Sequence, residues 1–112
     1  MSLDATLATL ADPTRRGVVD LLRLGPLRAG ELAEALAMSA PAMSRHLRLL
    51  REGGLVEEER DEADSRARVF RLRPEPFRDL RSWLDDVEAY WGAELASFKA
   101  HAERTRGKKA TR

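Results

Sequence analysis

The 112-residue sequence contains no cysteine, and this absence excludes several classes of site. Without thiols the chain cannot form disulfides, bind zinc through thiolates or use a cysteine nucleophile. It also lacks an apolar run of the roughly 18 residues that cross a bilayer, and its N-terminus lacks the basic start of a signal peptide. We therefore predict a cytoplasmic protein without a membrane partner.

The sequence also lacks the common features of enzymes and metalloproteins. It has no glycine-rich phosphate loop, and no serine, histidine and acidic residue are spaced as a catalytic set. The two histidines, His46 and His101, lie in different predicted elements, whereas tight zinc sites use three or four nitrogen or sulfur donors. We predict a protein that is not an enzyme and that has no metal site and no cofactor.

Charge is nearly balanced over the whole chain but unevenly distributed along it. The net charge is +1, yet the segment from Lys99 onward carries six cations and one glutamate, and the remainder carries 14 cations and 18 anions. Because the body is not basic, any contact with nucleic acid must come from local placement of arginine. We predict one domain over residues 1–104 and a basic, disordered tail over residues 105–112.

Two helices are predicted in the first quarter of the chain. Leu3, Leu7 and Leu10 recur at helical spacing and indicate an amphipathic first helix. Asp12-Pro13 is typical of a helix start, because Asp caps the first turn and Pro loses no needed hydrogen bond there. The second helix should end at Gly25-Pro26.

Two more helices and a hairpin follow. A short helix is predicted over residues 30–38, and the next begins after the capping residue Ser39 and ends at the glycine pair 53–54. Residues 55–60 and 66–72 flank a polar turn and predict a β-hairpin. The chain is therefore mainly α-helical, with about five helices and one small hairpin.

The helix after Ser39 has one apolar and one polar face at 100° per residue. Met43, Leu47 and Leu50 share the first face, and the second combines arginine with serine. Arginine reads guanine edges or clamps phosphates, and serine contacts either. With the preceding short helix, this arrangement predicts a helix-turn-helix that binds double-stranded DNA, rather than a merely solvated face. The predicted contacts are Ser39, Ala40, Pro41, Ser44, Arg45 and Arg48.

The predicted hairpin carries arginines on both sides of its tip. Arg66 and Arg68 should share a face because strand side chains alternate, and Arg60 lies on the other strand. Such a cationic hairpin beside a recognition helix is a wing, which contacts the minor groove or phosphates. Three acidic residues at its tip argue against deep insertion. We predict that Arg66 and Arg68 contact DNA.

The last predicted helix has an apolar stripe that a domain of this size cannot fully bury. Burial of each large side chain contributes roughly 1.5–3 kcal/mol, so an exposed stripe favours association. A two-fold dimer through the first and last helices is therefore predicted, and a small-molecule pocket at Trp83, Tyr90 and Trp91 is the alternative. The predicted interface residues are Leu3, Leu7, Leu10, Phe77, Leu80, Leu84, Val87, Trp91, Leu95 and Phe98.

Three segments together resemble the ArsR/SmtB family of bacterial winged-helix repressors. They are LADPTRRGVVDLL (10–22), GELAEALAMSAPAMSRHLRLLREGGLV (30–56) and RARVFRL (66–72). The resemblance extends to about Phe98 and implies a winged helix-turn-helix repressor, often autoregulatory, that binds an inverted-repeat operator as a homodimer. His46 matches a common histidine of the family, which we interpret as a packing and hydrogen-bonding residue.

The chain departs from the founding members of that family, which sense metals. Their metal ligands lie on the helix before the recognition helix or on the last helix, but residues 30–38 contain no ligand and the last helix has only His101. The resemblance is therefore to the subgroup without metal ligands, and the effector is unknown. Two alternatives remain: a metal-responsive repressor that uses His101 with carboxylates, and a winged-helix protein-binding module such as an antitoxin, whose contact face would be more apolar.

Overall fold

The structure is a computed structural model that describes the backbone of residues 2–110 and the side chains of residues 2–105. The described chain contains five helices and one antiparallel hairpin, which confirms the predicted fold class. The elements are α1 (Leu3–Thr9), α2 (Pro13–Leu22), α3 (Ala29–Ala35), α4 (Ala40–Glu52), β1 (Val56–Arg60), β2 (Arg68–Leu72) and α5 (Pro74–Ala110).

The helix starts lie close to the positions that their capping residues predict. The Asp12 carboxylate accepts a hydrogen bond from the backbone N–H of Arg15 at 2.9 Å and so caps α2. The Ser39 hydroxyl accepts from the backbone N–H of Ala42 at 3.3 Å and caps α4. These local bonds satisfy N–H groups that have no partner within a helix, and so they fix where each helix begins.

Helix α3 is shorter than predicted and ends in a tight turn. It ends at Ala35 instead of residue 38, and Ala37 has a positive φ of 52°. This left-handed conformation is unfavourable for a residue with a Cβ atom, and here it reverses the chain between α3 and α4. The backbone N–H of Met38 then donates to the Ala33 carbonyl at 2.8 Å, which closes the turn.

The hairpin pairs β1 with β2 and is attached to the segment before α3. Val56 lies opposite Leu72, and Arg60 lies opposite Arg68. An isolated bridge joins Leu27 to Phe70, with N···O distances of 3.2 and 2.8 Å. The strands begin later than predicted, at residues 56 and 68 rather than 55 and 66.

One core cluster holds α2, α3, α4 and the hairpin together. Along α2 and α4 its buried members recur at the helical spacing that the sequence predicts. In β2, by contrast, the adjacent residues Val69 and Phe70 are both buried. At the end of α4, a Cβ atom on Gly53 would lie 2.5 Å from the Thr9 hydroxyl oxygen, so α1 packs closely against this glycine. The buried cluster consists of Val18, Leu22, Leu32, Ala33, Met43, Leu47, Leu50, Leu55, Val56 and Phe70.

The described chain forms two compact units, and the single domain over residues 1–104 stays a prediction. Residues up to Leu80 form the first unit, which contains the buried core, and residues from Arg81 onward form the second. The second unit is the greater part of α5, which continues to Ala110. The backbone of residues 105–110, which belong to the predicted basic tail, continues this helix, and residues 111–112 lie outside the described residues.

The predicted interface residues differ in their environments. Leu10 and Phe77 are partly buried and pack against the core of their own chain, and Leu3, Leu80 and Val87 are half-buried. Their place in a dimer interface stays a prediction. The inward position of α1 is occupied by Thr6, which is buried, whereas Leu7 is exposed. Four stripe residues of α5 are exposed by half or more: Leu84, Trp91, Leu95 and Phe98.

None of the described helices combines the length and the apolar composition that a membrane span needs.

Candidate nucleic-acid interface

Helix α4 separates into a buried face and an exposed face, as its sequence predicts. Met43, Leu47 and Leu50 are at most 2% exposed and anchor the helix in the core. The predicted DNA-contacting positions on this helix and its cap all lie on the exposed side. We call this set the reading surface: Ser39, Ala40, Pro41, Ser44, Arg45 and Arg48.

The two arginines of the reading surface are not held in strong ion pairs. The Nε atom of Arg48 lies 4.0 Å from the Glu52 carboxylate, with both side chains about two-thirds exposed (66% and 65%). Such exposed pairs contribute little to stability and break easily. Arg45 has no carboxylate within 4.0 Å among the side chains of residues 2–105. Both guanidinium groups can therefore turn toward a ligand.

Arg51, one turn after Arg48, has a different role. Its guanidinium lies 3.0 Å from the Glu58 carboxylate of β1, so it links the end of α4 to the hairpin. Sequence spacing alone does not distinguish Arg51 from Arg48. The structure assigns Arg51 to an ion pair with the hairpin and leaves Arg48 on the open side of the helix.

The wing, residues 56–72, brings three exposed arginines to its outer end. Arg66 lies in the turn and not in β2, so the prediction that alternation places Arg66 and Arg68 on one face is wrong. The side chain of Asp64 causes this difference, because it accepts the backbone N–H of Arg66 at 3.0 Å and forms a local turn. Arg66 and Arg68 are nevertheless both exposed.

Arg60 is a candidate residue that the sequence did not assign to DNA. It lies directly opposite Arg68 across the hairpin, and both side chains are exposed. Like charges in this position destabilise a hairpin, and neither arginine has a carboxylate within 4.0 Å among the described side chains. A bound anion would relieve this repulsion. The strand register shows that Arg60 faces Arg68. The sequence alone does not give this register, because it does not show how many residues form the turn.

Two of the acidic residues at the tip of the wing maintain its own structure. The Asp61 carboxylate accepts hydrogen bonds from Arg28 at 2.7 and 3.1 Å, which ties the wing to the residue preceding α3. Asp64 is engaged in the turn before β2. Their negative charge is therefore partly balanced within the protein.

The Arg28–Asp61 pair should stabilise the protein at neutral pH, and this contribution should be lost in acid. Hydrogen bonds from Arg28, and then from the backbone N–H of Ala63, hold the pKa of Asp61 below its ordinary value. A carboxyl with a lowered pKa in the folded state stabilises the fold above its unfolded pKa, about 3.9, and this contribution disappears as pH falls through the folded pKa. We expect the thermal midpoint of the wild type to fall more steeply below about pH 4 than that of Asp61→Asn.

The control for this experiment is Glu62→Gln, which removes a neighbouring exposed carboxylate. It should follow the wild-type curve. Asp12, whose pKa is also lowered, chiefly by the backbone N–H of Arg15, is present in all three proteins and cancels in the comparison. Parallel curves for Asp61→Asn and the wild type would contradict a stabilising role for the pair.

His46 lies at the margin of α4, half-buried and off the reading surface. This agrees with its predicted packing role. The predicted hydrogen bond is absent among the described residues, because the buried Nδ1 atom has no partner and lies 3.8 Å from the Asp12 carboxylate.

The described side chains do not form a metal site. Over residues 2–105 there is no group of three or more histidine, aspartate and glutamate side chains that could hold an ion. His101 and the neighbouring Glu103 are exposed on α5.

The known proteins that this chain resembles are named as transcriptional regulators and repressors. The family model of a helix-turn-helix domain matches residues 10–59. Over 97 residues the chain is 38% identical to the HTH-type transcriptional regulator Rv2034 of Mycobacterium tuberculosis, covering 87% of this chain and 85% of that protein. Shorter matches, each over less than half of this chain, are to proteins named as transcriptional or operon repressors.

Solved structures share the same fold. The crystal structure of an ArsR family transcriptional regulator, RHA00566, superposes with a TM-score of 0.69 and 31% identity, covering 80% of this chain and 89% of that one. The homodimeric winged helix-turn-helix DNA-binding domain of Mb0332 from Mycobacterium bovis gives a TM-score of 0.60 and 27% identity, with 77% of each chain covered.

Proposed function

Because this chain belongs to the ArsR family of winged helix-turn-helix transcriptional regulators, we propose that it binds an inverted-repeat operator as a homodimer and represses the adjacent promoter. As a member of this family it is a DNA-binding repressor and not an enzyme. The dimer, the operator and the residues that contact DNA are the parts that we propose. We further propose that it acts in the cytoplasm, where promoter DNA lies.

The reading surface of α4 is the observation that carries this proposal. A buried apolar face fixes the helix in the core, and two loosely paired arginines with a serine face solvent on the other side. Arg45 would contact a base edge in the major groove, because bidentate hydrogen bonds from arginine to guanine are the commonest specific contact. Ser44 and Arg48 would contact phosphate or a neighbouring base. A charged surface of this kind is unlike the apolar centre of a protein-binding site.

The wing would supply contacts that position the protein without reading sequence. Arg66 and Arg68 are exposed at its outer end, and Arg60 lies opposite Arg68. A phosphate between the last two would offset the repulsion of their guanidinium groups, and each neutralised phosphate adds to the salt dependence of binding. We therefore add Arg60 to the predicted DNA contacts.

Dimerisation through the terminal helices is supported by the exposed apolar residues of α5. Leu84, Trp91, Leu95 and Phe98 are between 50% and 72% exposed, which is costly for a single chain in water. The related Mb0332 domain is homodimeric. A second copy of this chain would cover these residues, together with Leu3 and Leu7 of α1 and with Leu80 and Val87 of α5.

A two-fold dimer determines the form of the operator. It presents two copies of α4 to major grooves about one helical turn apart, near 10 base pairs from centre to centre. Occupation of such a site over a promoter excludes polymerase, so repression needs no chemical step. An autoregulatory site near the protein's own promoter is the first place to look.

Selection from genomic fragments tests this function. The purified protein should enrich a small set of fragments, and footprinting should show an imperfect inverted repeat with two protected segments about one turn apart. The control is a random-sequence duplex of the same length and at the same salt concentration, which should bind at least about 1,000-fold more weakly. Equal affinity for both duplexes would contradict sequence-specific repression.

A further inference from the structure

His46 and Asp12 form an unusual contact beside the reading surface. The Nδ1 atom of His46 is buried without a hydrogen bond among the described residues, and the Oδ2 atom of Asp12 is 3.8 Å away. Hydrogen bonds between nitrogen and oxygen measure 2.7–3.2 Å, so the pair must approach by about 0.6–1.1 Å to form one. A buried polar atom without a partner is unfavourable, which gives the pair a reason to close.

Asp12 is fixed in place, so closure must move His46. The Asp12 carboxylate accepts a hydrogen bond from the backbone N–H of Arg15 at 2.9 Å and so caps the first turn of α2. His46 belongs to α4 and is next to Arg45 in the chain. A hydrogen bond between His46 and Asp12 would therefore join the middle of α4 to the start of α2 and limit rotation of α4, and with it of the reading surface, relative to α2.

The charges around this contact indicate when the pair closes. Neutral imidazole has one N–H group, which can be on either nitrogen, whereas the protonated ring has N–H on both. A protonated His46 would thus donate from Nδ1 to the Asp12 carboxylate in a charge-assisted bond, the stronger class of hydrogen bond. Histidine is the side chain that ordinarily gains this proton between pH 8 and 5.

The neighbouring charged groups do not provide another partner. On α2, Arg15 and Arg16 donate to the Thr9 and Leu10 carbonyls at 2.6 and 2.7 Å, so both are held by the end of α1. Within α1 the only ionisable residue is Asp4, in its first turn. The adjacent residue of α4, Arg45, is exposed. Asp12 is the one carboxylate within 4.0 Å of His46 among the described side chains.

We infer that His46 is a positioning residue for operator binding: its protonated ring binds the Asp12 carboxylate and holds α4 in the orientation that reads DNA. This inference rests on the proposed function, which it deepens with a proton-dependent contact. Binding of the operator would then be linked to uptake of a proton by a residue that does not itself contact DNA.

Three substitutions separate this role from a structural one. Asp12→Asn keeps the helix cap, because asparagine caps as well as aspartate, but removes the negative charge. His46→Asn places an amide nitrogen near the position of Nδ1, and this group donates a hydrogen bond at every pH. His101→Gln is the matched control, since it removes the other histidine of the chain, which is exposed on α5.

The measurement is the dissociation constant of the operator duplex recovered by the selection, from pH 5.5 to 8.0 at constant ionic strength. A random-sequence duplex of equal length reports the general effect of charge. Relative to that duplex, operator affinity of the wild type and of His101→Gln should fall about tenfold over this range, as expected when deprotonation removes the charge of the donor and weakens the bond by about 1.4 kcal/mol. His46→Asn, whose amide stays neutral, should bind equally well at pH 5.5 and 8.0, and Asp12→Asn should bind weakly at both. Wild-type pH dependence in either variant would overturn the inference.

A measurement without DNA distinguishes failure of this contact from failure of the proposed function. The thermal midpoint of the wild type, compared with that of Asp12→Asn, should rise as pH falls from 8.0 to 5.5. A difference that is constant with pH would overturn the contact, whatever the DNA result. A pH-dependent difference in a protein that binds no operator would support the contact and contradict only the proposed function.

Discussion

The variant Trp91→Ala/Leu95→Ala is expected to be monomeric at micromolar concentration and to lose at least about 100-fold in operator affinity. The two side chains lie one turn apart on α5 and are 59% and 64% exposed in the single chain. A dimer would bury four of them, and each contributes roughly 1.5–3 kcal/mol when buried. Truncation should therefore weaken association by several orders of magnitude.

Light scattering measures the molar mass of this variant, and anisotropy with the operator duplex measures its affinity. The control is Asp86→Ala, which changes an exposed residue on the opposite side of the same helix. Alanine preserves helix propensity in all three positions, so circular dichroism should show unchanged helix content. A wild-type molar mass for the double variant would place the dimer interface elsewhere.

Arg45→Ala is expected to lose about 1–3 kcal/mol of operator affinity, or roughly five- to 150-fold, and to discriminate less at one base pair. The side chain is exposed and has no carboxylate within 4.0 Å among the described residues, so its removal should leave the melting temperature unchanged. Binding to random-sequence DNA should change much less than binding to the operator.

Arg78→Ala is the matched control, because it makes the same change of charge on an exposed position of α5 outside the reading surface and the wing. It should bind as the wild type does. Equal losses on operator and random-sequence duplexes would identify Arg45 as a phosphate contact. An unchanged footprint would remove it from the interface altogether.

Features that depend on neighbouring residues were predicted correctly from the sequence. Asp12 and Ser39 cap the helices that follow them, because a cap is a contact over three residues. The two faces of α4 follow from the spacing of Met43, Leu47 and Leu50. Since the reading surface is the complement of that apolar face, its position on the helix follows from residue spacing alone.

Features that depend on distant residues or on turn geometry were not predicted. The bond between Arg28 and Asp61 joins residues 33 positions apart, and no pattern in the chain indicates it. The turn at Asp64 shortens β2, and only the resulting register shows that Arg60 lies opposite Arg68. Phe77 fits a helical stripe by its spacing but packs on the core, because the fold decides which end of a stripe is covered.

The bond between Arg28 and Asp61 has a consequence for the length of DNA that each protomer covers. It fastens the wing to the base of α3, and the tight turn at Ala37 fastens α3 to α4. The wing and α4 therefore move together, and the distance between them is fixed. Within a half-site, natural target sites should therefore tolerate base changes better than they tolerate insertion of a single base pair between the segment that α4 contacts and the segment that the wing contacts.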